Sequence, residues 1–137
     1  MNYHNLLQLY FDRSTAMQNY WNLYVLVVGG VLAFASLRKQ PATITTLIVC
    51  LLFALFAYEN LGALHDVTAQ RFALLQSIKE FAGANASGPV AVTRSLVEPT
   101  LTPASWESVR RTHITSDLLT IAALMAMEFR RRRLTNG

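Results

Sequence analysis

The chain contains three long apolar stretches, each bordered by arginine or lysine residues. They are Tyr20–Leu37, Ile44–Leu64 and Ile114–Phe129. A helix needs about 20 apolar residues to cross the hydrocarbon core of a bilayer, which is about 30 Å thick. The pattern therefore predicts an all-α integral membrane protein with three transmembrane helices, over about residues 20–37, 43–64 and 113–130.

Length and composition support one membrane domain. Apolar residues make up 53% of the chain and charged residues 15%, whereas charged residues make up about 25% of average soluble proteins. The 137 residues are enough for a single domain, covering residues 1–137. The net charge of +4 comes from basic clusters beside the apolar stretches rather than from a basic face, so we expect no nucleic-acid partner.

Two basic clusters predict the orientation of the chain. Cytoplasmic flanks of transmembrane helices are enriched in lysine and arginine. Arg38 and Lys39 follow the first span, and the third span ends in Arg130, Arg131, Arg132 and Arg133. We therefore expect a plasma or inner membrane protein with its amino terminus outside and its carboxyl terminus in the cytoplasm. The same side chains could contact anionic lipid headgroups, although their use as a topology signal already explains them.

Helical periodicity continues beyond the spans on the predicted outer side. Apolar residues recur at spacings of three to five between residues 65 and 82, and a further apolar run precedes the first span. Thr102 and Pro103 are typical of a helix start, as N-cap and first helical residue. We predict helical extensions over about residues 4–18, 65–82 and 103–112, and a loop rich in Gly, Ala, Ser and Pro over residues 83–102.

Three polar side chains fall at a similar depth in the predicted spans. Asn22, Glu59 and Asp117 each lie near the outer end of a span. If the three converged, they would form an ion or proton site, since ionisable groups within a membrane are costly unless paired or hydrated. We favour the alternative that the carboxylates lie at the membrane boundary, where they reach headgroups or pair with Arg110, Arg111 or His113.

Two histidines could in principle bind a metal or haem. His65 ends the second span and His113 begins the third, so the two could approach each other. The sequence has no ligand spacing of the HxxxH or CxxC kind. We therefore expect no metal and no cofactor.

Small residues indicate where helices can approach closely. Gly29 and Ala33 form a small-xxx-small pair on the first span, with Gly30 beside them. Ala122 and Ala126 form a second pair on the third span, and Gly62 lies on the second. Such residues serve either contacts within the three-helix bundle or an interface between subunits, and the sequence leaves both open.

No reaction centre is recognisable, because the chain lacks a Ser/His/Asp set, a phosphate loop or paired carboxylates at a known spacing. We expect a non-enzymatic membrane subunit that contacts lipid and assembles with itself or with larger membrane partners. The alternative is an oligomeric pore that conducts ions or protons through Glu59 and Asp117. A less favoured third possibility is haem or metal binding through His65 and His113. The layout is similar to that of one class of phage holins, in topology only, and implies no residue roles.

Overall fold

The computed structural model describes residues 2–84 and 89–136, which are mostly helical and contain no strand. This confirms the all-α prediction. In chain order the elements are α1 (Tyr3–Leu37), α2 (Thr43–Ala84), α3 (Pro89–Val97), a 3-10 turn (Glu98–Thr100) and α4 (Trp106–Asn136).

The three long helices α1, α2 and α4 pack against one another along the bundle. A short connection joins α1 to α2, so these two helices run antiparallel, and α4 contacts both. We call one end of the bundle the basic end, because Arg38 and Lys39 follow α1 there and α4 ends there in its arginine run. The opposite end, where α2 ends and α4 begins, is called the loop end.

Capping and proline residues explain the helix boundaries. The side chain of Asn2 accepts a hydrogen bond from the backbone N–H of Asn5 at 2.9 Å, which caps the start of α1. Arg38 has extended backbone angles and ends α1. Pro41 follows and disfavours helix for the residue before it, so the chain turns before α2 begins.

Two of the long helices have the length and composition of membrane spans. α1 and α2 are long and apolar enough to cross a bilayer, and only 11% and 22% of their most apolar segments are buried in the chain. A core helix of a soluble protein would be mostly buried, so these helices indicate membrane association. α4 has 31 residues but does not meet the same criterion, and its apolar stretch contains polar side chains, among them Asp117 and Glu128.

A hydrophobic cluster at the loop end holds the helices together beyond the predicted spans. The phenol of Tyr3 lies 3.5 Å from the Glu98 carboxylate, to which it donates. Burial raises the pKa of Tyr3, and the Glu98 carboxylate raises it further, so the phenol keeps its proton and can donate. The buried members of this cluster come from α1, α2 and the segment before α4: Tyr3, Leu6, Tyr10, Leu75, Ile78 and Leu101.

The structure differs from the prediction in the segment that precedes α4. The predicted loop over residues 83–102 contains α3 and the 3-10 turn, and its residues 85–88 lie outside the described part of the chain. The fourth helix begins at Trp106 rather than at Pro103. Ser105 caps it instead of Thr102, because its hydroxyl oxygen accepts from the backbone N–H of Ser108 at 3.3 Å.

Candidate functional site: a polar network between three helices

Each long helix contributes a polar group to one level of the bundle. His113 and Asp117 are four residues apart on α4, so they lie on the same helical face. Asn60 comes from α2. Tyr24 and the backbone carbonyl of Tyr20 come from α1, again four residues apart. The network therefore consists of groups from one turn of α1, one turn of α4 and a single side chain of α2.

The groups are within hydrogen-bonding distance of one another. The imidazole Nδ1 of His113 lies 2.8 Å from Oδ2 of Asp117, and its Nε2 lies 3.1 Å from Oδ1 of Asn60. The phenol of Tyr24 donates to Oδ1 of Asp117 at 2.7 Å. The amide nitrogen of Asn60 donates to the carbonyl oxygen of Tyr20 at 3.2 Å. This chain of bonds connects α1, α2 and α4.

The network is enclosed by the bundle. His113 is 0% exposed, and Asn60 and Tyr24 are buried as well. The ring of Tyr24 lies against the imidazole, with 4.3 Å between the ring centroids, and Trp21 covers the imidazole at 5.8 Å. Asp117 is the member nearest to the surface, since 17% of its side chain is exposed. Polar groups buried in this way stabilise a structure only when they are paired, and each of these has a partner.

The structure brings only one of the three predicted ion-pathway residues into this network. Asp117 lies inside, whereas Asn22 and Glu59 are exposed on the outside of the bundle. The inward positions are taken by Tyr24 and Asn60, which are two and one residues further along their helices. Asp117 pairs with His113, one of the partners that the sequence suggested for a boundary carboxylate.

The other suggested partners of Asp117 are engaged elsewhere. Arg110 and Arg111 pair with Glu107 on the exposed side of α4, at 2.8 and 3.4 Å. Sequence analysis did not single out Tyr24 or Asn60 as site residues. The signal that could have led to them is the spacing of His113 and Asp117, which predicts a polar face on α4 that needs partners from the neighbouring helices.

The two histidines considered as metal ligands lie in different surroundings. Both ring nitrogens of His113 are used within the network. His65 is exposed, lies 3.3 Å from the Asp66 carboxylate and packs edge-on against the ring of Trp106. Among the described residues, no group of three or more His, Cys, Asp or Glu side chains could hold a metal ion.

A second buried polar cluster lies at the basic end. The carboxylate of Glu128 on α4 is 2% exposed. It accepts from the hydroxyls of Thr43 and Thr46 on α2, both at 3.1 Å, and lies 3.5 Å from the guanidinium of Arg131. Arg131 also donates to the backbone carbonyl oxygens of Ala35 and Arg38. This cluster again joins all three long helices.

The basic residues predicted to set the topology therefore divide into two groups. Arg131 is used inside the bundle, and Arg38 donates to the Thr46 hydroxyl and the Ala42 carbonyl oxygen, both at 3.3 Å. The remaining members of the two clusters are exposed at the basic end, where headgroups could be reached: Lys39, Arg130, Arg132 and Arg133.

The small residues of the predicted helix-packing faces point away from the bundle. Gly29, Gly30 and Ala33 on α1 are exposed, as is Gly62 on α2. A Cβ atom added at any of the three glycines would meet nothing within 4 Å. Contacts within the bundle therefore do not account for these glycines. On α4 the predicted pair is exposed as well: Ala122 and Ala126.

Comparisons with known proteins give no relative from which a role could be transferred. No protein-family model matches the chain, and no curated protein or solved structure is significantly similar to it. The geometry of the chain is therefore the basis for its proposed function.

Proposed function

We propose that the chain is a non-enzymatic membrane subunit that spans the bilayer three times and assembles with a second copy through α1. α1 and α2 supply two spans by length and composition. The proposal of a third span is supported by how α4 is rotated. Its polar side chains Asp117 and Glu128 point into the bundle, whereas the exposed side chains of its apolar stretch include Ile114, Leu118, Leu119 and Phe129.

This rotation resolves the difficulty that α4 is less apolar than the other two helices. A helix that buries its polar groups against neighbouring helices presents lipid with an apolar surface whatever its average composition. The proposed orientation keeps the basic end in the cytoplasm, following the excess of arginine and lysine there. The loop-end cluster then lies outside the membrane.

The observation that carries the proposal of self-assembly is the open surface around Gly29. Gly29 lies on one line of α1 with Ala33 and Asn22, because spacings of four and seven residues return to the same helical face. Small residues allow helix backbones to approach closely in lipid, where association depends on packing and on hydrogen bonds between helices. The line is exposed over its whole length in the single chain.

Asn22 indicates that the partner is a second copy. It lies 16 residues before Arg38, or roughly 24 Å along the helix, and thus within a hydrocarbon core about 30 Å thick. An exposed amide at that depth is costly without a hydrogen-bonding partner. A parallel pair of α1 helices about a two-fold axis brings Asn22 against its own copy, where one amide donates and the other accepts.

The test compares two glycine-to-leucine substitutions. Gly29→Leu fills the proposed contact and should abolish the dimer in native lipid particles, as measured by cross-linking or by single-molecule photobleaching. Gly62→Leu is the matched control, because Gly62 is also exposed with open space around it but lies on α2. A wild-type protein that is monomeric in lipid, or a dimer that survives Gly29→Leu, would contradict the proposal.

The pore alternative remains a prediction from the sequence. In one chain Asp117 faces the interior and Glu59 faces outward, so the two carboxylates do not lie on one surface. We therefore do not propose conduction.

A further inference from the structure

We infer that the His113–Asp117 pair is a proton-binding site that clamps the three helices together, and that loss of its proton loosens the contact between α2 and α4. The inference goes beyond assembly through α1 and does not depend on it. It follows from the donor and acceptor roles that the hydrogen-bond geometry imposes on each group of the network.

The partner of Asn60 on α1 determines the orientation of the Asn60 amide. Its partner on α1 is the backbone carbonyl oxygen of Tyr20, which can only accept. The Asn60 group directed at Tyr20 must therefore be the NH₂, which leaves the amide oxygen facing His113. Turning the amide over would place its oxygen against the carbonyl oxygen of Tyr20, so that two acceptors would face each other. The side-chain orientation of Asn60 is thus determined by its neighbours.

This orientation determines the state of the imidazole. The amide oxygen of Asn60 only accepts, so Nε2 of His113, at 3.1 Å, must carry a hydrogen. A neutral imidazole with its hydrogen on Nε2 has a lone pair on Nδ1, and Nδ1 lies 2.8 Å from the Asp117 carboxyl group. A second proton must therefore lie between Nδ1 and Oδ2. The pair holds it either as imidazolium and carboxylate or as neutral imidazole and carboxylic acid.

The remaining neighbours of the pair do not replace this proton. From α1, the phenol of Tyr24 is the titratable group that faces it, and its hydrogen is already donated to the other oxygen of Asp117. From α2, the neutral amide of Asn60 faces it. Among the described residues, His113 is the basic side chain with which Asp117 forms an ion pair. The pair is therefore neutral overall when it holds the proton and carries one negative charge after releasing it.

Release of the proton to bulk water removes one hydrogen bond of the network. The imidazole then has a single N–H hydrogen, which it can donate to Asp117 or to Asn60 but not to both. The other contact becomes one between two acceptors, at a residue that is 0% exposed. Donation to the charged carboxylate is the stronger bond, so the bond to Asn60 is lost. That bond connects α2 to α4.

The direction of the pH dependence follows from this change. At low pH the protonated pair makes all the bonds of the network, and the helices are clamped. As the pH rises and the proton leaves, the α2–α4 contact loosens. Exchange with water occurs at Asp117, the one member of the pair with part of its side chain exposed, at 17%.

One test determines the proton positions directly. Nitrogen-15 NMR of histidine-labelled protein in lipid nanodiscs should show a hydrogen on Nε2 of His113 at neutral pH. It should also show that Nδ1 binds a proton or shares one with Asp117. His4 is exposed and serves as an internal reference for a solvent-accessible imidazole. An unprotonated Nε2 on His113 in the folded protein would overturn the inference.

A second test follows the helices. Spin labels at Tyr58→Cys and Leu118→Cys, both at exposed sites of a Cys50→Ala background, report the distance between α2 and α4. The distance distribution should broaden as the pH is raised from about 5 to about 10. Asp117→Asn is the matched variant, because the new amide can donate to Nδ1 and accept from Tyr24, so the network no longer needs a proton shared with a carboxyl group. The distance distribution of this variant should stay narrow across the same pH range.

The two measurements separate the possible outcomes. A distance that does not change with pH in the wild type, while the NMR signal of His113 does change, would show that the proton is bound but does not act as a clamp, and would overturn the inference. Equal broadening in wild type and Asp117→Asn would also overturn it, because the pH dependence would then arise outside the pair.

Discussion

The guanidinium group of Arg131 on α4 donates a hydrogen bond to the backbone carbonyl oxygen of Ala35 in the last turn of α1. The last carbonyl groups of a helix have no partner within the helix, and basic side chains commonly satisfy them. Arg131 also lies beside the buried carboxylate of Glu128. One side chain thereby ties the end of α1 to α4 at the basic end.

Replacement of this arginine should destabilise the bundle. Arg131→Met keeps much of the side-chain length but leaves Glu128 buried without its closest positive charge. We expect the free energy of unfolding to fall by about 3 kcal/mol, because removing one partner of a buried ion pair leaves the other charge buried without compensation. Unfolding in mixed micelles with increasing SDS, followed by circular dichroism, measures the change. Arg133→Met, at a neighbouring exposed position, should have little effect.

Two threonines in the first turn of α2, Thr45 and Thr46, provide a matched pair. Thr46→Val removes a buried hydroxyl that lies 3.1 Å from Glu128 and should cost about 1 to 2 kcal/mol. Thr45→Val makes the same chemical change at an exposed neighbour and should leave the stability nearly unchanged. The same SDS titration distinguishes them, and equal effects would show that Glu128 does not depend on the hydroxyl.

The polar network should depend on the Tyr24 hydroxyl. Tyr24→Phe keeps the ring that covers His113 and removes only the donor to Asp117. A hydrogen bond to a charged or proton-sharing carboxyl group is worth about 1.5 to 3 kcal/mol, so we expect a loss of that size. Tyr58→Phe is the control, because Tyr58 is 75% exposed. Retention of full stability in Tyr24→Phe would mean that the bond does not hold α1 to α4.

The loop-end cluster should be a folded part of the protein rather than a pair of frayed helix ends. Ile78 is 0% exposed there, and Ile78→Ala should cost about 3 kcal/mol through lost burial and the cavity left behind. It should also increase amide hydrogen exchange in the first turns of α1. Lys79→Ala, exposed on the next position of α2, should change neither. Rapid exchange throughout this end in the wild type would contradict the packed cluster.

The sequence was informative about depth along the helices and much less so about their rotation. Asn22 and Tyr24 lie at nearly the same depth but on opposite sides of α1, since two residues turn a helix by about 200°. Glu59 and Asn60 likewise differ by about 100° on α2. Apolar residues surround α1 and α2 on most sides, so no amphipathic pattern indicated which polar side chain faces the bundle.

Other features depended on tertiary contacts that no local pattern encodes. The segment that forms α3 has the small residues and turn signals of a loop. Leu101 is buried in the loop-end cluster, and α4 begins at Trp106 rather than at Pro103. Glu128 lies just before the arginine run in sequence, and two threonines of α2 hold it in the interior.

The most direct test of the account is the membrane topology of single cysteines in a Cys50→Ala background. Ser77→Cys, Leu118→Cys and Thr135→Cys place exposed thiols at the loop end, at the lipid-facing surface of α4 and at the basic end. A membrane-impermeant maleimide should label Ser77→Cys in intact cells, Thr135→Cys only after permeabilisation, and Leu118→Cys in neither case. Labelling of Ser77→Cys and Thr135→Cys from the same side, or ready labelling of Leu118→Cys, would contradict three membrane spans.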